Sequence, residues 1–175
     1  MSKLKSPSTF FPKKKMGVTT FVQELKTKVT SSRLFKALVT EAGDVIPKAS
    51  PSIKSMELVH GDTYAPGSII QTNFPEGAHF KYVQHRIDEI DQEKHTIKYT
   101  LVEGDVLGEK LEKICYDMKF EDTADGGCVV KVTSEYHTKG DFEVKEEDLK
   151  AGKEHSLGMY KACEEYLIAN PHVCA

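Results

Sequence analysis

The chain has 175 residues, 39% of them hydrophobic and 29% charged, with a formal net charge of −3. Such values describe one globular domain with a real core, and no apolar run approaches the ~18 residues of a membrane-spanning helix. Five lysines (Lys3, Lys5, Lys13, Lys14 and Lys15) precede any acid; beyond them 19 basic residues (24 less 5) face 27 acidic ones, a net −8 that disfavours nucleic acid as a partner.

Residues 1–15 hold two prolines, no acid and no apolar h-region, which predicts a disordered basic tail ahead of a single ligand-binding domain over 16–175. Phe21 stands where a myristoylation motif starting at Gly17 needs Ser or Thr, so lipidation is rejected. Val18–Leu25 reads as a strand. Ser31 or Ser32 is expected to cap a helix with a Leu34, Phe35, Leu38, Val39 stripe, broken by Ala42-Gly43-Asp44. A second short helix around Val45–Ile46 is expected to stop before Pro47.

Six further strands are predicted: Ile53–His60, Ser68–Phe74, Phe80–Ile90, Thr96–Glu103, Leu111–Glu121 and Cys128–His137. Alternation is clean in the fourth, where Ile97, Tyr99 and Leu101 oppose Thr96, Lys98 and Thr100. It slips near Tyr82-Val83, which suggests a bulge able to turn His85 or Arg86 inward. Period-two alternation implies an antiparallel sheet with one wet face. Four cysteines without CxxC spacing read as reduced thiols in a cytoplasmic protein.

The last predicted helix, Lys145–Ala169, opens with acids at the positive end of its dipole and ends at Asn170-Pro171. Its inward face, with Leu149, Gly152, Ser156, Met159, Tyr160, Cys163, Tyr166 and Leu167, is small in the middle, where Ala151, Gly152 and Ser156 stand. Interior glycine costs about 1 kcal/mol of helix propensity relative to alanine, so Gly152 and Gly158 imply either a close backbone contact or space left open. Set against Tyr82, Tyr99 and Tyr116, read as inward, these small residues describe the wall of a small-molecule cavity.

Eight stretches together carry a resemblance: Met16-Gly17-Val18, Arg33-Leu34-Phe35-Lys36-Ala37, Ile46-Pro47-Lys48, Phe80-Lys81-Tyr82-Val83, Glu103-Gly104, Leu111-Glu112-Lys113-Ile114, Tyr136-His137-Thr138-Lys139-Gly140-Asp141 and Lys150-Ala151-Gly152-Lys153-Glu154. From Met16 to about Val173 the chain resembles the plant pathogenesis-related class 10 proteins, the family of the major birch pollen allergen. The resemblance implies an α+β helix-grip fold: a seven-stranded curved antiparallel sheet, two short helices and a long C-terminal helix around an internal cavity. It also implies binding of flavonoids, cytokinins, steroids and similar amphiphiles by a plant defence- or hormone-related protein.

The expected lining comes from several elements. The short helices supply Leu38 and Ile46, and the second and third of the six strands supply Phe74, Tyr82, His85 and Arg86. Ile97, Tyr99, Leu101, Tyr116 and Met118 follow on the next two strands, and Ala151, Gly152, His155, Ser156 and Met159 on the last helix. His85, Arg86, Tyr99 and His155 are the expected polar readers of the ligand. The expected partner is a small amphiphilic plant metabolite or hormone bound by a monomer, with no cofactor, metal, membrane or nucleic acid.

Two other activities follow from the resemblance. Ribonuclease residues would map to Glu112, Glu164 and Tyr166, but the lysine that the family places after its glycine-rich loop is Ile70 here. That loop, usually Glu-Gly-Asp-Gly-Gly-Pro-Gly-Thr, reads His60-Gly61-Asp62-Thr63-Tyr64-Ala65-Pro66-Gly67-Ser68, one residue longer. The catalytic Tyr, Glu, Lys and Asp of norcoclaurine synthases align with Val83, His85, Ile97 and Tyr116, so that chemistry is unsupported, although a reaction using His85 or His155 stays open.

Overall fold

The computed structural model describes the backbone of residues 13–15 and 17–175, and the side chains of 17–150 and 152–175. Its strands are β1 (Lys13–Lys15), β2 (Val18–Thr27), β3 (Ser55–His60), β4 (Ile69–Asn73), β5 (Tyr82–Asp91), β6 (Thr96–Gly104), β7 (Leu111–Asp122) and β8 (Cys128–Thr138). They form one antiparallel sheet in the order β1-β2-β8-β7-β6-β5-β4-β3. The seven predicted strands are all present, joined in a meander from β3 to β8 that β2 closes on one side. Lys13–Lys15, expected in the disordered tail, instead pairs with Val18–Thr20 as an eighth strand; the rest of that tail, residues 1–12, lies outside the described residues.

Between β2 and β3 run α1 (Ser31–Phe35), a π-helical turn (Lys36–Thr40) and α2 (Ala42–Ala49). Thr30, not Ser31 or Ser32, caps α1 by accepting the Arg33 amide, while the Ser31 amide donates to Asp122. The π turn inserts an extra residue, closing a Glu41 N–H to Lys36 C=O bond, and so buries Ala37 beside Val39 while Leu38 stays half-buried. Ala42-Gly43-Asp44 therefore starts α2 and does not end α1, and Pro47 sits inside α2. Pro47 is the sixth residue of α2, past the unpaired first amides, so its ring nitrogen forgoes a bond to the Gly43 carbonyl, and the helix ends two residues later.

The long helix α3 (Glu146–Ala169) crosses the concave face of the sheet. Its first turn carries Glu146, Glu147 and Asp148, and Asp148 accepts the Lys145 amide. Its last carbonyls are held by one side chain from α1. Arg33 donates to the carbonyls of Leu167, Asn170 and Val173 at 2.8–3.1 Å. Among the described residues no helix is long and apolar enough to cross a membrane.

Candidate ligand-binding site

Strand parity decides what faces α3. The register sets His85 opposite Leu101 and Ile70, Ile87 opposite Tyr99, Tyr99 opposite Tyr116, and Leu101 opposite Ile114, so these side chains share the inner face. At one end of that face the space is filled: Ile97, Met118, Phe120 and Val130 pack with Leu34, Phe35 and Leu167. At the other end Val83, Leu101 and Ile114 meet Val106, Leu107 and Tyr136.

The middle is different. His85, Tyr99, Tyr116 and, from α3, Tyr160 bring polar tips to an otherwise apolar place. Tyr99 stacks on Tyr116 with centroids 5.0 Å apart, and His85 meets their rings edge-on or tilted at 5.1 and 6.0 Å. The Tyr99 hydroxyl lies 3.3 Å from the Met118 sulfur and in hydrogen-bonding contact with Tyr160. Surrounding protein strips water from all four groups and penalises their charged forms. Burial lowers the His85 pKa to about 4 and raises that of Tyr160 to about 12, while Tyr99 and Tyr116 rise well above their ordinary value, again mainly through burial. His85 is thus a neutral imidazole at neutral pH. As whole residues the four are half-buried, and among the described residues neither His85 nor the Tyr116 hydroxyl has a hydrogen-bond partner.

On the helix face that also carries buried Cys163, α3 presents Gly152, which is exposed, and half-buried Ser156. A Cβ added to Gly152 would meet nothing within 4 Å, and the same holds for Gly158. Close backbone contact is therefore not why either glycine is there. By helical spacing Gly152 lies on the same face as Ser156 and buried Cys163, whereas Gly158 points away from it. Ser156 and Met159 are half-buried, and Met159 joins Ile46, Ile53 and Cys163 in a cluster that Leu38 and Phe74 border. His155 is exposed at the edge of the helix, with its ring 5.9 Å from that of Phe74. The side chain of residue 151, the expected Ala151 contact, lies outside the described ones.

Two expected lining residues are misplaced. Tyr82 and Arg86 point to the outer face of the sheet. The Tyr82 hydroxyl donates to Glu103 at 2.8 Å, and Arg86 pairs with Asp88 at 2.8 Å with 46% of its side chain exposed. The reason is parity: β5 buries Val83 and Ile87, and its register shifts fall after Gln84 and Ile87 rather than at Tyr82-Val83, so His85 faces in with Val83 and Ile87 while Tyr82 and Arg86, of the opposite parity, face out. Tyr160, which belongs to the helix face that the spacing predicts, adds a hydroxyl absent from the expected lining. Tyr136 adds another near the far end, its pKa raised to about 12 by burial.

The ribonuclease residues do not converge. Ile70 faces inward and packs against the main core, Glu112 is exposed, and Glu164 accepts the Lys28 amide at 3.1 Å.

Comparison with known proteins agrees with this architecture. The sequence profile of the "Pathogenesis-related protein Bet v 1 family" matches residues 16–170. The chain belongs to that family. Among Bet v 1 family relatives, pathogenesis-related protein STH-21 of Solanum tuberosum is 48% identical over 160 residues, which is 91% of this chain and all of that protein. The crystal structure of Ara h 8.0201 superposes with a TM-score of 0.78 at 38% identity, covering 88% of this chain and all of that one. Norcoclaurine synthase from Thalictrum flavum, solved with dopamine and hydroxybenzaldehyde, has a TM-score of 0.65 at 18% identity, covering 87% of this chain and 88% of that one; it shares the fold.

One loop distinguishes this Bet v 1 family chain. Between β3 and β4, Tyr64 replaces the expected glycine-rich centre, and its hydroxyl reaches Gly43 in the first turn of α2, accepting a hydrogen bond from the backbone there. Gly67 and Ser68 tie the same loop to Ile87. The loop is anchored by side chains, where a glycine-rich one would offer free amides to an anion.

Proposed function

We propose that the protein binds small hydrophobic or amphiphilic metabolites in an internal cavity between the middle of the sheet and α3. The observation that carries this reading is the pair of partnerless polar tips, His85 and Tyr116, half-buried on the otherwise apolar inner face of the sheet. Apolar walls with a few polar groups are what a small-molecule site requires. Flat, hydroxylated ligands of flavonoid, cytokinin or steroid type suit the stacked Tyr99 and Tyr116 rings and the neutral imidazole. A defence context, as in the name of the relative STH-21, and a cytoplasmic monomer with four free thiols complete the proposal. Ribonuclease activity has less support, since an inward Ile70 stands where a cation would meet phosphate.

A fluorescent hydrophobic probe tests the site. It should bind with micromolar affinity, and Gly152→Leu should weaken it about tenfold or more by filling the space. The same substitution should leave thermal stability unchanged or raised, because leucine is worth up to ~1 kcal/mol more than glycine in a helix. Unchanged affinity, or a fall in stability matching a steric clash, would place the probe elsewhere.

Ligand discrimination gives a second result. Losing one buried hydrogen-bond partner costs about 1–3 kcal/mol. His85→Ala and Tyr116→Phe should therefore cost hydroxylated ligands roughly tenfold in affinity while a purely apolar probe barely responds. Equal losses for every ligand would mean that these residues shape the space without reading what enters it.

A further inference from the structure

The outer face of the sheet holds a cluster that the ligand site does not use. Cys115 on β7 lies directly opposite Glu135 on β8, and His137 follows two residues later on the same face. One donor atom of each lies within 4.8 Å of the others, the one such trio of His, Cys, Asp or Glu among the described residues. The His137 Nε2 is sealed from solvent and has no hydrogen-bond partner. The nearest acceptor, Glu135 Oε1, is 3.7 Å away, too far for a hydrogen bond. A buried ring nitrogen without a partner costs free energy that something must offset.

We propose that Cys115, Glu135 and His137 form a binding site for a divalent transition metal of the zinc type. This departs from the sequence reading, which assigned no metal. Thiolate, imidazole and carboxylate are the donor types that Zn²⁺ takes, and three protein ligands leave a fourth position for water. Donors around a tetrahedral ion stand ~3.5 Å apart, so the His137–Glu135 spacing already fits and the trio closes by rotation of side chains. Glu135, with 44% of its side chain exposed, is free to turn and leaves the ion a way in from solvent. The His137 Nε2 lone pair then gains the partner that it lacks. Binding displaces the Cys115 thiol proton to solvent, which makes affinity fall as pH drops. Thr100, whose hydroxyl lies 3.7 Å from the Cys115 sulfur, and Lys113, opposite His137 in register, complete the surroundings.

Cobalt reports this chemistry directly. Reduced protein titrated with Co²⁺ should develop a thiolate-to-cobalt charge-transfer band that saturates at one equivalent and is erased by Zn²⁺. Cys115→Ser should abolish the band, and His137→Ala and Glu135→Gln should each weaken Co²⁺ binding by about tenfold or more. Cys163→Ser and His172→Ala should leave it intact, with circular dichroism confirming that every variant is folded. Absence of the band in the parent protein, its survival in Cys115→Ser, or unchanged binding in both His137→Ala and Glu135→Gln would overturn the assignment.

Discussion

Replacing Arg33 with alanine is expected to lower stability by about 3 kcal/mol and the melting temperature by roughly 5–10 °C. One guanidinium makes four hydrogen bonds to three carbonyls at the end of α3 and just beyond it. The Leu167 carbonyl is one of the unsatisfied acceptors that every helix leaves at its C-terminus, those of Asn170 and Val173 belong to the segment that follows, and a cation there also interacts favourably with the helix dipole. Hydrogen bonds to a charged group contribute about 1.5–3 kcal/mol singly, but four bonds to one group do not add. Arg33→Lys should recover less than half of the loss, because an ammonium cannot span three carbonyls with the geometry of a planar fork. Urea unfolding of the three proteins decides the matter, and a loss below about 0.5 kcal/mol in Arg33→Ala would show that water replaces the arginine without penalty. The effect should be sharpest in amide exchange of the last two turns of α3.

The second large effect is a pH dependence traceable to His85. Its folded pKa of about 4 lies below the ordinary 6.5. Between those values the unfolded chain binds a proton that the folded protein does not, so stability is complete above pH 6.5 and declines as pH falls toward 4. At ~1.4 kcal/mol per pK unit the whole shift corresponds to about 3 kcal/mol; the accessible part of the ring reduces the expected loss to about 2 kcal/mol. The groups facing the ring are Tyr99 and Tyr116, both uncharged in this range, so no neighbouring charge offsets the trend. Denaturant curves at pH 7 and pH 4.5 should therefore converge in His85→Phe more than in the parent protein. The comparison between the two proteins removes the contribution of carboxylates common to both. Identical pH dependence would mean that the imidazole is hydrated and protonates freely.

The sheet was legible because period-two alternation survives wherever one face is wet, as in Thr96–Gly104 and Cys128–Thr138. The long helix was legible from its spacing, its acidic first turn and its proline stop. The short helices were less so. A π turn has a period that neither template matches, and it shifted every boundary from Leu38 to Pro47. Within the site, strict alternation along β5 places His85 inward and Tyr82 and Arg86 outward; the bulge expected at Tyr82-Val83 is what turned those two the wrong way, and the register shifts lie elsewhere because pairing between strands sets them. The Cys115, Glu135 and His137 cluster was equally hidden, since the register of β7 against β8 alone brings it together.

The strand at Lys13–Lys15 bears on how copies of this molecule behave when crowded. An open sheet has two rims whose unpaired backbone groups can recruit a neighbour into a continuous sheet, the first step toward fibrils. Among the described residues one rim, Lys13–Lys15, is three residues long. The other, Ser55–His60, is interrupted by a register shift between Leu58 and His60. A short ladder at one rim and a broken one at the other both discourage edge-to-edge growth between copies.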